Sequence, residues 1–388
     1  MSQFFVSTSK GLEDALTNEL MDMGFMHPRK TNAGVYLDCN WEDVYKINLN
    51  SRIASRVLKP VLDFIAYQPD EFYNQVFKNH DFTKYIKPNE SFMIDASVTD
   101  CKMSDQRFVA LKLKDAICDQ FREKYDVRPD INKDFPTVKF YVKGYKNKFS
   151  IAIDTTGESL FLRGYRNNAG AAPLKENLAA AIISMTGWKK DIPIVDLTCG
   201  SGTILIEAAL MALNVAPGAF RKKFGFENFI SFNREKWSKV VDETVSQEKE
   251  EVPFKFYGYD SDRTVLKKAK ENAERAGVDH LIEFRCEDLS TIQPPCEKGI
   301  VIMNPPYGVR LGDLDNLRDV YRDLGFTLKN RFKGWDCYIL SGNKELTYDL
   351  KLKSNQKFFL YNGPLECRLL KYSIKEEKEI KKPSEVSV

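Results

Sequence analysis

With 388 residues, 43% of them hydrophobic, the chain is long enough for about two to three domains with sizeable cores. No run of about 18 apolar residues occurs, so no transmembrane helix is expected, and the start MSQFFVSTSKGLEDAL lacks the basic-then-apolar order of a secretory signal. A net charge of +3 neither demands nor excludes nucleic acid, while eight cysteines without a CxxC pair and three widely separated histidines argue for reduced thiols in the cytoplasm and against a zinc site.

Residues 1–155 read as small α+β units. FFVSTSKGLEDALTNELMDMG is a strand followed by a helix, and GVYLDC and SFMIDASVTD are strands. Ser104 is placed to cap the helix DQRFVALKLKDAICDQFREKY. VKFYVKGYKNKFSIAIDTTG is a hairpin around Lys146-Asn147. In its first arm Val138, Phe140 and Val142 share the core face, and Lys139, Tyr141, Lys143 and Tyr145 share the other. The second set suits phosphates and bases of RNA, or equally a sheet edge protected by lysines. Acids and bases nearly balance over this region, so composition does not mark it as RNA-binding. Residues 158–177 link the halves, and Arg163, Arg166 and Lys175 give that connector positive charge.

From Ile192 the chain alternates strand, turn and helix, which implies a parallel sheet covered on both faces, with ligands at the carboxyl ends of the strands. IPIVDLTCGSGT is a strand ending at Asp196 and followed by a glycine turn; FKFYGYD ends at Asp260, LIEFRCED at Asp288 and GIVIMN at Asn304. LDNLRDVYRDLGFTLKNRF is a helix before the strand WDCYILS, and KFFLYNGPLECRLLKYSI is a hairpin around Asn362-Gly363-Pro364. The turn lacks the third glycine of a dinucleotide fingerprint, which disfavours a nicotinamide dehydrogenase. Three acids at successive strand ends beside a glycine turn instead point to a nucleoside-bearing cofactor, Asp260 receiving ribose hydroxyls and Asp288 an adenine amine. The segment APGAFRKKFGFENFISFNREKWSKVVDETVSQEKEE is too long for a plain connection. Its Arg221, Lys222 and Lys223 lie among Phe220, Phe224 and Phe226, which suits either an RNA channel wall or a helical cover with a solvated rim.

Asn304-Pro305-Pro306-Tyr307 follows a buried strand. Prolines break a central ladder, so both must lie just beyond it and stiffen the ligand edge. The Asn304 amide oxygen and the Pro305 carbonyl can accept both protons of a planar exocyclic amine, while Tyr307 offers a stacking face. Two acceptors draw a delocalised amine towards a nucleophilic, tetrahedral state, and no strong base is needed.

The motifs DLTCGSGT, GYDSD, CEDLS and NPPYG, in this order, resemble those of class I S-adenosylmethionine-dependent amino-methyltransferases. FLRGYRNNAGAAPLKENLAAAI, APGAFRKKFGFENF and LYNGPLECRLLKY narrow the resemblance to the THUMP-containing guanine-N2 methyltransferases of bacterial large-subunit rRNA. The resemblance implies an α/β fold: a Rossmann-like class I methyltransferase domain with a seven-stranded, mostly parallel sheet, behind an N-terminal α+β ferredoxin-like/THUMP module. The implied division is a ferredoxin-like segment at 1–55, a THUMP domain at 56–157, a linker at 158–177, the methyltransferase domain at 178–376 and a charged tail at 377–388. S-adenosylmethionine would lie on Asp196, Thr198, Cys199, Gly200, Ser201, Gly202, Thr203, Asp260, Ser261, Asp288, Leu289 and Asn304. Asn304, Pro305, Pro306 and Tyr307 would hold the target amine. RNA would meet Lys139, Tyr141, Lys143, Tyr145, Arg163, Arg166, Arg221, Lys222 and Lys223. Two departures stand out: Val309 occupies a place where relatives commonly carry an acid, and the chain ends where the large bacterial relative has a second methyltransferase domain, so one activity is expected. The expected reaction is methyl transfer to guanine N2 in 23S rRNA. Adenine-N6 methylation of DNA or RNA, and a non-catalytic RNA-binding assembly factor, are the alternatives.

Overall fold

A computed structural model describes residues 2–166, 174–307 and 314–375; the expected tail and Val309 fall outside them. The chain divides into two compact units, Met1–Gly164 with Asn214–Glu248, and Tyr165–Leu213 with Lys249–Val388. Among the described residues no helix is long and apolar enough to cross a membrane.

The first unit is built on one eight-stranded sheet: β1 (Ser2–Ser7), β2 (Arg29–Thr31), β3 (Gly34–Cys39), β4 (Arg56–Ile65), β5 (Ser91–Thr99), β6 (Asp130–Ile131), β7 (Val138–Tyr145) and β8 (Lys148–Asp154), in the order β2-β3-β1-β4-β8-β7-β5-β6. Its helices are α1 (Glu13–Asp22), α2 (Trp41–Asn50), α3 (Pro69–Asn79) and α4 (Gln106–Tyr125). The strand β4 is masked in the sequence by Pro60, which the ladder tolerates because the register shifts between Pro60 and Leu62. By pairing with both β1 and β8, β4 joins the front end into a single sheet. The α4 cap is a correction: Asp105, not Ser104, accepts from the Arg107 and Phe108 amides. The hairpin turn is where the sequence puts it, with Lys146 and Asn147 both at positive φ, the geometry of a tight two-residue turn. In β7 Val138, Phe140 and Val142 are buried, as the alternation requires.

The inserted segment belongs to this unit and contributes a helix, Arg234–Val245. Phe224 and Phe226 stack with ring centroids 5.3 Å apart, and Phe226 lies 4.5 Å from Tyr45 of α2. Both phenylalanines are buried, so they are core side chains and not walls of an RNA channel.

The second unit holds a seven-stranded sheet. Continuing in chain order, its elements are α5 (Glu176–Met185), β9 (Ile194–Asp196), α6 (Thr203–Ala212), then, after the inserted helix α7, β10 (Phe256–Asp260), α8 (Arg263–Arg275), β11 (Ile282–Cys286), β12 (Ile300–Met303), α9 (Leu314–Arg331), β13 (Asp336–Ser341), α10 (Lys344–Asp349), β14 (Gln356–Asn362) and β15 (Leu365–Ser373). The order is β11-β10-β9-β12-β13-β15-β14, parallel from β11 to β13, with β15 antiparallel to both of its neighbours. Val195, Val301 and Ile339 from the sheet pack with Tyr321, Leu324 and Leu328 of α9 in one apolar cluster. Strand order reverses direction between β9 and β12, and a crevice opens at the carboxyl ends of strands at such a reversal.

Candidate active site

Register puts the predicted residues on one rim. Val195 pairs with Tyr257 and Val301, and Asp196 with Gly258, in parallel ladders. Asp196 therefore ends β9, Asp260 ends β10 two residues further out, and Asn304 follows β12 at the same edge. The glycine turn is tied to the neighbouring strand: the Cys199 amide donates to the Tyr259 carbonyl at 2.8 Å, and the Gly200 amide donates to Asp260 Oδ2 at 3.0 Å. Gly202 caps α6 at φ +80°, and a Cβ there would stand 3.1 Å from the Phe284 ring. Gly200 has φ +54°, and a Cβ there would meet nothing within 4 Å, so the space over this turn is open.

The turn is also clamped from behind. Asn272 donates to the Ser201 carbonyl at 3.0 Å, Arg275 holds Asn272 Oδ1 at 2.6 Å, and the Arg275 Nε donates to the Tyr165 carbonyl at 2.7 Å. The Tyr165 hydroxyl donates to Glu207 at 3.0 Å. The sequence offered no local sign of the ties to Ser201, Tyr165 and Glu207, because they span 71, 110 and 42 residues.

Asp196 is 1% exposed and accepts from the Thr198 amide at 3.0 Å. Burial pushes its carboxyl up to about 8; the Thr198 amide opposes this and the charge of Asp260 adds to it. Burial likewise pushes the Cys199 thiol up, so this cysteine is no thiolate nucleophile. Asp260 accepts from Gly200 through Oδ2 and from the Asp262 amide through Oδ1 at 3.0 Å. A carboxylate offers about four lone-pair sites, so room remains for two vicinal hydroxyls. Asp288 is exposed and lies two residues past the end of β11; hydrogen bonds from the Ser290 side chain and amide to its Oδ1 lower its carboxyl. The carbonyl of Leu289 accepts from the Thr327 hydroxyl at 2.8 Å, and the Ser261 carbonyl accepts from the Cys286 thiol at 3.6 Å.

At this rim Asn304 Oδ1 and Thr198 Oγ1 are buried and have no hydrogen-bond partner among the described residues. Unpaired buried polar atoms are costly, and a ligand that donates to them relieves the cost. Together with the open space at Gly200 and the carboxylate at Asp260, they fit a nucleoside carrying an amino-acid tail on one side and an amine donor on the other. Tyr307 is half-buried, with its hydroxyl accepting from Asn362 Nδ2 at 3.2 Å and its ring against Gly342. Burial pushes that hydroxyl's pKa up. The hairpin between β14 and β15 thus fixes the ring, a partnership 55 residues long that the motif did not disclose.

Three of the arginines expected at RNA are corrected. Arg163 is 1% exposed and donates to the carbonyls of Leu160 and Arg52. Arg221 donates to the carbonyls of Thr156, Glu158, Ser159 and Leu162, and its guanidinium sits 5.2 Å over the Phe224 ring. Arg166, with 10% of its side chain exposed, donates to Thr203 Oγ1 and to the Leu174 carbonyl, beside Glu176. Lys222, Lys223, Lys143 and Tyr145 are exposed, whereas Lys139 pairs with Asp95 at 3.3 Å and covers Tyr141 at 4.7 Å. Replacing Arg221 with alanine is expected to cost about 2 kcal/mol of stability, because four carbonyls, two of them partly buried, lose their donor. Denaturant titration checks this. An RNA contact would instead leave the midpoint in place and flatten the salt dependence of binding.

A sheet of this order, a glycine turn after its first strand and an Asn-Pro-Pro-Tyr turn after its fourth define a Rossmann-like methyltransferase. The chain belongs to the family described as RMKL-like, methyltransferase domain, matched over residues 163–371, and it also matches the RlmL ferredoxin-like domain over 3–58 and the THUMP domain over 70–154. Ribosomal RNA large subunit methyltransferase K/L of Syntrophotalea carbinolica is 38% identical over 387 residues, covering 97% of this chain and 54% of that protein. A Synechocystis protein named "Putative RNA methyltransferase" is 35% identical over 96% of both chains. A solved structure of "a putative methyltransferase complexed with SAH" superposes with TM-score 0.89 at 30% identity, over 97% of this chain and 99% of that one. The chain spans about half the length of the K/L relatives it matches.

Proposed function

We propose that this chain transfers a methyl group from S-adenosylmethionine to the exocyclic N2 amine of a guanine in 23S-type large-subunit rRNA, in the cytoplasm. The observation that carries the reading is the unpaired, buried Asn304 Oδ1 on the same sheet rim as the glycine turn. The relatives' names favour large-subunit rRNA as substrate. The domain limits follow the same reading: ferredoxin-like 1–55, THUMP 56–157, linker 158–177 and methyltransferase 178–376.

S-adenosylmethionine supplies a methyl on a positively charged sulfur. Asp260 would hold the ribose hydroxyls, Asp288 and Leu289 the adenine, and Asp196 with Thr198 and the glycine turn the amino-acid tail. Asn304 Oδ1 and the Pro305 carbonyl accept the two amine protons and turn the nitrogen lone pair out of conjugation. As the new N–C bond forms and the sulfur–methyl bond breaks, leaving the donor as a neutral thioether, these same dipoles would stabilise the positive charge on nitrogen. The methylated amine then releases a proton to solvent. Tyr307, braced by Asn362, stacks on the base.

The raised carboxyl of Asp196 gives a pH signature. An aspartate titrates near 4 when unfolded. Its proton is held up to about 8 in the fold. Its contribution to stability is therefore fully present below about pH 4 and is lost as the pH rises towards 8. A ligand ammonium beside Asp196 favours the carboxylate, so binding expels the proton. S-adenosylhomocysteine (SAH) affinity should rise by up to about tenfold per pH unit below pH 8 and then level off. Calorimetry in buffers of different ionisation enthalpy reads the released proton, and Asp196→Asn should remove it.

The proposal is tested by incubating the protein with methyl-labelled cofactor and rRNA lacking its own modifications, then separating the nucleosides. Labelled N2-methylguanosine supports it. Labelled N6-methyladenosine overturns the choice of base, and no label with intact RNA binding points to an assembly factor.

A further inference from the structure

Within the first unit a cavity of about 490 Å³ opens on the face of the sheet where β4, β8 and β7 run side by side. Its lining includes Tyr36, Asp63, Lys143, Tyr145, Lys148 and Ser150. Register explains the grouping. Asp63 pairs with Ser150 and Ser150 with Lys143, so these three form one row; Ile65, Lys148 and Tyr145 form the next. Paired residues of an antiparallel ladder point to the same face. The opposite face of these strands is core, with Phe149 2% exposed.

This composition is odd for a solvated sheet. Tyr145 is 52% exposed and Ile65 51%, in a region that leaves large apolar surface to water. Asp63, Lys143 and Lys148 are exposed and in no ion pair among the described residues, although Asp63 and Lys143 share a row and Lys148 stands in the next. Lys146 lies over the Tyr145 ring at 5.2 Å and Lys102 over Tyr67 at 5.2 Å, so cations and aromatic faces continue around the rim. Burial and the nearby charge of Asp63 push the Tyr36 hydroxyl up, so it remains a neutral donor. Aromatic faces take bases, lysines take phosphates, and a carboxylate takes a pair of adjacent N–H donors. Among the bases only guanine presents such a pair, N1–H and N2–H, on one edge. A cavity of this size holds a single nucleotide.

We infer that this cavity binds one unpaired guanine nucleotide of an RNA strand, the base on Tyr145, its Watson–Crick edge on Asp63 and its phosphates on Lys143 and Lys148. The inference rests on the RNA-methyltransferase reading for the identity of the polymer. It adds a second RNA site, built from residues that the methyl-transfer chemistry does not use. An acidic protein segment would satisfy the lysines but would be repelled by Asp63 and would leave the aromatic faces without partners.

The test is fluorescence anisotropy of the full chain with labelled single-stranded oligouridylates carrying one central guanosine, inosine or adenosine. Guanosine should bind tightest, with inosine, which lacks the N2 amine, between it and adenosine. Tyr145→Ala should weaken guanosine binding about tenfold. Asp63→Ala should erase a roughly tenfold guanosine preference while leaving oligouridylate affinity unreduced. Lys143→Ala and Lys148→Ala should weaken all the oligonucleotides alike, each lowering the salt slope by about 0.7. SAH affinity of each variant, read by calorimetry, controls for folding. A guanosine preference that survives Asp63→Ala, or binding indifferent to Tyr145→Ala, overturns the inference. Base-selective binding without any methyl transfer would uphold this site and count against the methyltransferase reading. Full methylation by variants that bind RNA as the parent does would remove the site and leave that reading intact.

Discussion

Replacing Asn304 with alanine should lower the single-turnover rate of methyl transfer by about a hundred- to a thousandfold, with little change in SAH affinity. The amide oxygen is buried, has no partner among the described residues and lies on the rim that carries the glycine turn. On the proposed reading it would act where charge develops on the accepting nitrogen, apart from the ribose and adenine contacts. The substitution removes one of two acceptors but leaves Pro305 and the stiff backbone in place, so the site keeps its shape. Rapid-quench measurement at saturating cofactor, with SAH calorimetry beside it, separates the two quantities. A loss confined to cofactor affinity would mean that Asn304 is a cofactor ligand only.

Asp260→Ala should do the reverse, weakening SAH by about thirty- to a hundredfold, or roughly 2–3 kcal/mol, while the rate at saturation changes little. Its carboxylate has two tasks. It accepts from the Gly200 amide at 3.0 Å and from the Asp262 amide at 3.0 Å, which shapes the turn. Its remaining lone pairs are the acceptors that the proposed reading gives to two vicinal ribose hydroxyls. Asp260→Asn keeps the volume and one acceptor and should fall between parent and alanine. Equal affinity in all three proteins would place the ribose elsewhere.

The strands of the second unit were legible because each ends abruptly. Short β-branched or aromatic runs stop at Asp196, Asp260 or Asn304, and the glycine turn after Asp196 and the prolines after Asn304 admit few readings. β11 was less sharp: it stops at Cys286, and Asp288 sits in the loop beyond. The hairpin after β7 was readable from alternation and from Lys146-Asn147. What sequence could not convey was the destination of long side chains. Arg163 and Arg221 looked like phosphate ligands, yet their guanidinium groups satisfy carbonyls supplied by residues up to 111 positions away. An arginine in isolation gives no sign of which acceptor it will find. Phe224 and Phe226 were ambiguous for the same reason, since the Tyr45 ring that buries Phe226 comes from a distant helix. β4 was hidden by Pro60, which a shift of register accommodates. Tyr307 stands out in the sequence as an aromatic beside the two prolines, but its tether to Asn362 depends on how the last hairpin folds back.

The central claim is that the sulfur of the methyl donor and the Asn304 amide face each other over one rim of the second sheet. A crystal structure of the protein with SAH and a guanosine nucleotide tests it most directly. The account predicts ribose hydroxyls on Asp260, and the nucleotide's N2 atom on Asn304 Oδ1 with an open line from that nitrogen to the sulfur. A sulfur turned away from Asn304, or packed side chains standing between the two, would contradict it.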